Sequence, residues 1–112
     1  MKNIISSKNF GYYPTHPGGI LKDELKCRKI KDIDFSKQIE IDYSVLKNIL
    51  NKKSPITAEI AILIETVLNI DATIWINLQS RYDLQIATKS KRLINKVEKI
   101  RKKVKERELS NN

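Results

Sequence analysis

The sequence predicts an all-α chain: a five-helix bundle that contains a helix-turn-helix and is followed by a basic helical extension. Three observations carry this. From Ile20 to Ile86 successive segments carry apolar residues at helical spacing, three or four positions apart, and no convincing strand appears. Three glycines and three prolines in 112 residues are too few for the turns of an all-β chain. Charge is also unevenly spread: residues 1–87 hold 12 basic and 10 acidic side chains, whereas residues 88–112 hold 10 and 3. The chain therefore divides into an N-terminal arm (1–15), a near-neutral helix-turn-helix domain (16–87) and a basic C-terminal helix or tail (88–112).

Composition narrows the function. No apolar run approaches the roughly 18 residues of a membrane span, so no membrane partner is expected. The N-terminal Met1–Ser6 stretch is too short in apolar residues for a secretory signal. Cys27 stands alone, which rules out an intrachain disulfide, and one cysteine with the single histidine, His16, cannot build a zinc site. A cytoplasmic protein without metal or cofactor is the simplest reading. An enzyme is not expected: there is no paired acid and base, activated nucleophile or phosphate loop. The net charge of +9 points to a polyanionic partner.

The arm has no clear period, and Phe10, Tyr12 and Tyr13 are its apolar anchors. Pro17 suits the first helical position, where its missing N–H costs nothing. Ile20, Leu21, Leu25 and Cys27 then follow at helical spacing, giving a helix from Pro17 to Lys29 with His16 as a capping or packing residue. A helix of about two turns follows over Lys31–Ile39, anchored by Phe35 and Ile39 with small Ser36 between them. Asp42 can cap a third helix, Tyr43–Asn51, whose apolar stripe is Val45, Leu46, Ile49 and Leu50. Thr57 can cap a fourth, apolar over a broad arc from Ile60 to Leu68, and Asp71 a fifth through Trp75, Leu78, Tyr82 and Ile86.

Two short helices joined by a three-residue turn form a helix-turn-helix when the second is polar on its outward face. Here Phe35, Ile39, Ile41, Val45, Leu46 and Ile49 are expected to point inward, leaving the other face of the third helix for a major groove. Lys47 and Asn48 can reach base edges there, with Tyr43 and Ser44 at the leading end. Lys37, Asn51, Lys52 and Lys53 are placed to meet phosphates, which position a protein without reading sequence. Periodicity alone leaves an ordinary helical bundle with a polar surface helix as an equal alternative.

Three separate pieces raise the DNA reading. His16-Pro17-Gly18 with Ile20-Leu21, the run from Tyr43 to Thr57, and Trp75-Ile76-Asn77-Leu78-Gln79-Ser80-Arg81-Tyr82-Asp83-Leu84 occur in order and at matching spacing. Together, from His16 to Leu84, they resemble the HigA family of antitoxins within the lambda-repressor-like, Cro/repressor helix-turn-helix group. The resemblance implies a homodimer that represses its own operon on double-stranded operator DNA. It also implies neutralisation of a HigB/RelE-like toxin, a ribonuclease that cuts mRNA on the ribosome. Trp75, Leu78, Arg81 and Tyr82 are then core or dimer-interface anchors. Where the family carries glycine in the turn this chain has Glu40, which implies a left-handed non-glycine residue. At the start of the second helix it has Asp32 instead of a phosphate-binding glutamine.

In the tail, Leu93, Val97, Ile100 and Val104 recur at four, three and four residues, a narrow seam on a charged helix. It can pack on the domain or pair in a dimer, wrap the toxin, or add DNA affinity through counterion release. The competing functions are a stand-alone helix-turn-helix regulator without a toxin, and a protein-binding module that has lost DNA binding.

Overall fold

In the computed structural model, which describes residues 15–110, six α-helices follow one another and no strand forms among the described residues. They are α1 (Pro17–Cys27), α2 (Asp32–Gln38), α3 (Tyr43–Leu50), α4 (Ala58–Leu68), α5 (Ala72–Thr88) and α6 (Lys91–Ser110). The five expected helices form, and the basic extension adds a sixth of 20 residues. The apolar anchors Phe10, Tyr12 and Tyr13 lie outside the described residues. The chain splits into two compact units, divided between Tyr82 and Asp83.

Most helix starts follow the capping chemistry. His16 Nδ1 accepts the Gly18 N–H at 2.8 Å, with Pro17 at the first helical position. Thr57 Oγ1 accepts the Ile60 N–H, and Ser90 Oγ accepts the Leu93 N–H ahead of α6. Asp71 accepts both the Thr73 hydroxyl at 2.7 Å and the Thr73 N–H at 2.8 Å. These donors, the hydroxyl first, hold the Asp71 carboxyl below its ordinary pKa. Asp42 departs from expectation. It occupies the N-cap of α3, but its side chain makes no capping bond, and its backbone carbonyl receives the Val45 and Leu46 N–H groups instead.

Helix ends share one device. After α1, the Lys29 N–H donates to Lys26 and the Ile30 N–H to Leu25. After α2, Glu40 donates to Lys37 and Ile41 to Ser36; after α3, Lys52 donates to Ile49 and Lys53 to Asn48. This paired pattern is the Schellman motif, which needs a left-handed residue just past the C-cap. Lys29, Glu40 and Lys52 supply it at φ 59°, 55° and 66°, and none is glycine. Helix α1 accordingly stops at Cys27, short of the expected Lys29, because Lys29 has already turned left-handed. Asn69, at φ 58°, ends α4 with the residue type that tolerates this conformation best after glycine.

The core of the first unit gathers Leu21 and Leu25 of α1, Phe35 of α2, Leu46, Ile49 and Leu50 of α3, Ala61, Ile64 and Leu68 of α4, and Trp75 of α5. Ile39 and Ile56 join it from the loops. Helix α3 packs against both α1 and α2. The closest approach is at Gly18, where an added Cβ would lie 1.8 Å from the Ile49 carbonyl oxygen. Only a residue without Cβ lets α1 rest on the backbone of α3 there. The loop after α3 is tied down by Gln79, whose buried Oε1 accepts the Ile56 N–H at 2.8 Å. Trp75 is held by shape: its indole Nε1 is buried without a hydrogen-bond partner.

Candidate nucleic-acid interface

Helix α3 owes its orientation to three side chains. Leu46, Ile49 and Leu50 are buried and span about 100° of the helix circumference. The opposite side is turned to solvent, and there Ser44, Lys47, Asn48 and Asn51 are exposed, as is Tyr43 at the leading end. The four residues expected to reach bases therefore share one helix and one accessible surface. The Lys47 ammonium lies 5.6 Å from the centre of the Tyr43 ring, one turn back. This cation–π contact restrains a flexible lysine of the last turn against the ring at the leading end of the helix.

Val45 does not point inward as expected. It is 41% exposed, and the physical cause is angular: it falls outside the arc spanned by Leu46, Ile49 and Leu50. The outward surface of α3 therefore carries a β-branched apolar side chain among its polar ones. Of the other inward residues, Phe35, Ile39, Leu46 and Ile49 are buried and Ile41 is half-buried.

The residues expected at phosphates are exposed on two segments: Lys37 in the last turn of α2, and Asn51, Lys52 and Lys53 at the end of α3. The Lys53 and Ser54 N–H groups both donate to the Asn48 carbonyl, so this segment closes tightly onto α3. Lys52 passes over Gly19, with its Cε 3.0 Å from where a Cβ at position 19 would lie. Beside it opens a cleft of about 630 Å³ between the start of α1 and the end of α3, bordered by Lys22, Asp23 and Lys52. Asp32 and Asp34 stand in the first turn of α2. They suit the positive end of the helix dipole, and they place negative charge where a helix N-terminus would otherwise attract phosphate.

Of the other singled-out residues, Trp75 is buried, and Leu78 is partly buried against the core. Tyr82 sits edge-on to His16 with ring centres 4.7 Å apart, while Arg81 is exposed. Gly18 and Gln79 fix α3 and its following loop, and no local pattern in the sequence marks either by itself. The steric demand on Gly18 and the acceptor role of Gln79 depend on contacts distant in the chain. Among the described residues no group of histidine, cysteine or carboxylate side chains is placed to hold a metal ion, and no helix is long and apolar enough to cross a membrane.

Comparison with known proteins places this architecture. No family model matches the chain. Virulence-associated protein I of Dichelobacter nodosus is 33% identical over 81 residues, covering 71% of this chain and 75% of that protein. The solved structure of a HigA-family addiction module antidote protein from Coxiella burnetii superposes with a TM-score of 0.70 at 32% identity, over 79% of this chain and 95% of that one. Pseudomonas aeruginosa antitoxin HigA, solved with the higBA promoter, superposes with a TM-score of 0.64 at 32% identity, over 66% of this chain and 82% of that one. A chain whose described residues are helical, and whose third helix is locked by Leu46, Ile49 and Leu50 and exposes a polar outward face, thus matches 95% of one such protein and 82% of the other. The chain belongs to the HigA family of addiction-module antitoxins, proteins with a DNA-binding helix-turn-helix fold.

Proposed function

We propose that this chain is the antitoxin of a type II toxin–antitoxin module: it binds a HigB/RelE-like toxin directly and, as a homodimer, represses its own operon. The observation that carries the DNA half is the outward face of α3, where Ser44, Lys47 and Asn48 are exposed on a helix fixed from behind by buried leucine and isoleucine. Its support is the Pseudomonas relative, solved with its promoter. Tyr43, Ser44, Lys47 and Asn48 are assigned to base edges, and Lys37, Asn51, Lys52 and Lys53 to phosphates. A dimer presents two such helices to half-sites about 10 bp apart. The toxin half rests on the family: in an addiction module the antidote is one member of a pair.

Two measurements test these halves separately. Fluorescence anisotropy against the DNA upstream of the gene is expected to show specific binding that persists at moderate salt. There Lys47→Ala and Asn48→Ala shift the sequence preference, whereas Lys53→Ala weakens all sequences alike and lowers the salt slope by about 1. Uniform loss in all three variants would remove the base-contact assignment. Co-expression with the adjoining short reading frame is expected to rescue growth and yield a stable complex. An inert neighbour and no complex would leave a stand-alone regulator.

A further inference from the structure

Helix α6 has a surface that DNA reading does not use. None of its 20 residues is buried. Leu93, Val97, Ile100 and Val104 fall within about 60° of arc along three turns. Ile100 and Val104 are 50% and 43% exposed, and Leu93 and Val97 are half-buried. Around Leu93, Ile94 and Val97 the second unit forms a groove of about 240 Å³. The rest of α6 is strongly basic, with nine lysines and arginines against three glutamates. By helical geometry Lys96, Lys103 and Arg107 border one side of the seam, and Arg101 and Glu108 the other.

Four occupants can be compared on these features. A nucleic acid accounts for the charge but leaves the aliphatic seam in water. An anionic membrane surface accounts for both, yet an interfacial helix needs a broad apolar face, usually with aromatic residues, and this seam is narrow and wholly aliphatic. A second copy would bury the seam. In an antiparallel pair, however, Lys96 and Lys103 face their own kind, which disfavours pairing. In a parallel pair the like-charged Lys96 and Arg101 offset the opposite-charged Lys103 and Glu108, so the borders give no net preference for a second copy. A helix with its own aliphatic seam and flanking carboxylates satisfies both the narrow apolar arc and the basic borders.

We propose that α6 is a docking helix for an acidic amphipathic helix of another protein, packed along Leu93, Val97, Ile100 and Val104 and oriented by Lys96, Arg101 and Lys103. These residues lie on a different helix from those assigned to DNA. The test uses the full chain and two labelled 21-residue synthetic helices with leucine at a and d, one with glutamate and one with lysine at e and g, read by fluorescence anisotropy. The glutamate peptide is expected to bind at least tenfold tighter than the lysine peptide. Val97→Ala with Ile100→Ala, which preserves helicity as circular dichroism can verify, is expected to weaken it at least tenfold and leave operator binding unchanged. Lys96→Glu with Arg101→Glu and Lys103→Glu is expected to transfer the preference to the lysine peptide. Equal binding of the two peptides, or indifference to the alanine pair, would overturn the proposal. So would failure of the glutamate peptide to bind while the alanine pair abolishes self-association in sedimentation, which would assign α6 to a second copy. Failure of that peptide with a tenfold loss of duplex or anionic-vesicle affinity in the charge-reversed variant would assign it to DNA or membrane.

Discussion

A methyl group at position 18 would meet the Ile49 carbonyl oxygen at 1.8 Å, a distance no side-chain rotation can relieve because the obstacle is backbone. Gly18→Ala is therefore expected to cost about 3 kcal/mol or more, by forcing α1 away from α3, and chemical denaturation measures it. Gln79 acts at the other end of α3. Gln79→Ala leaves the buried Ile56 N–H without its acceptor, for an expected loss of about 1–3 kcal/mol in chemical denaturation. Val45 is exposed on the side of α3 proposed to face DNA, where it would offer the apolar surface that a thymine methyl prefers. Val45→Ala is expected to reduce discrimination between thymine and uracil at one position per half-site by roughly fourfold, about 0.8 kcal/mol for a lost methyl contact. Competition between thymine- and uracil-substituted duplexes reads this out, and an unchanged ratio would place Val45 outside the contact.

The first three helices each end in a Schellman motif built on a charged residue instead of glycine. A left-handed non-glycine residue costs about 1–2 kcal/mol, partly offset because glycine loses more backbone entropy on folding. Lys29→Gly and Glu40→Gly are each expected to raise stability by ~0.5–1 kcal/mol, seen as a higher denaturation midpoint. Glu40→Gly also removes a carboxylate from the turn ahead of α3, so it should strengthen DNA binding where Lys29→Gly does not. At the start of α2, Asp32→Gln removes a negative charge from a helix N-terminus and is expected to tighten operator binding several-fold, most at low salt. The cap of α5 has a pH signature. Because hydrogen bonds from Thr73 lower the Asp71 pKa, its contribution is fully present above the ordinary carboxylate value of about 4. It is lost as pH falls through the lowered value. The stability advantage over Asp71→Asn should hold at neutral pH and shrink only in acid.

Across the molecule, charge and packing are partitioned. Through Tyr82 the chain carries 12 basic and 9 acidic residues and contains every residue of the buried apolar core; from Asp83 onward it carries 10 basic and 4 acidic residues. The dipole, groove and phosphate chemistry assigned to DNA lies in the first unit, so neutralising α6 is expected to leave sequence preference intact. A dimer on a palindrome follows from the proposed function. Sedimentation equilibrium should give twice the 13.0 kDa chain mass, and footprinting should show protections about one helical turn apart.

The order and approximate limits of the helices were legible in the sequence because they rest on local rules. Apolar spacing marks the buried stripe, and Pro17, Thr57 and Asp71 mark helix boundaries through chemistry within a few residues; the left-handed position at Glu40 comes from the family resemblance, since nothing in a glutamate itself announces it. The polar face of α3 was legible for the same cause, since Leu46, Ile49 and Leu50 must face the core together. Three features were not. Apolar spacing groups Val45 with the buried stripe, but it lies outside the arc of Leu46, Ile49 and Leu50 and is exposed. Asp42 had the right chemistry for a side-chain cap, but the backbone carbonyl alone took the role. Gly18 and Gln79 serve partners 31 and 23 positions away. Such demands arise only when distant segments are brought to van der Waals or hydrogen-bond distance, and no local pattern records them.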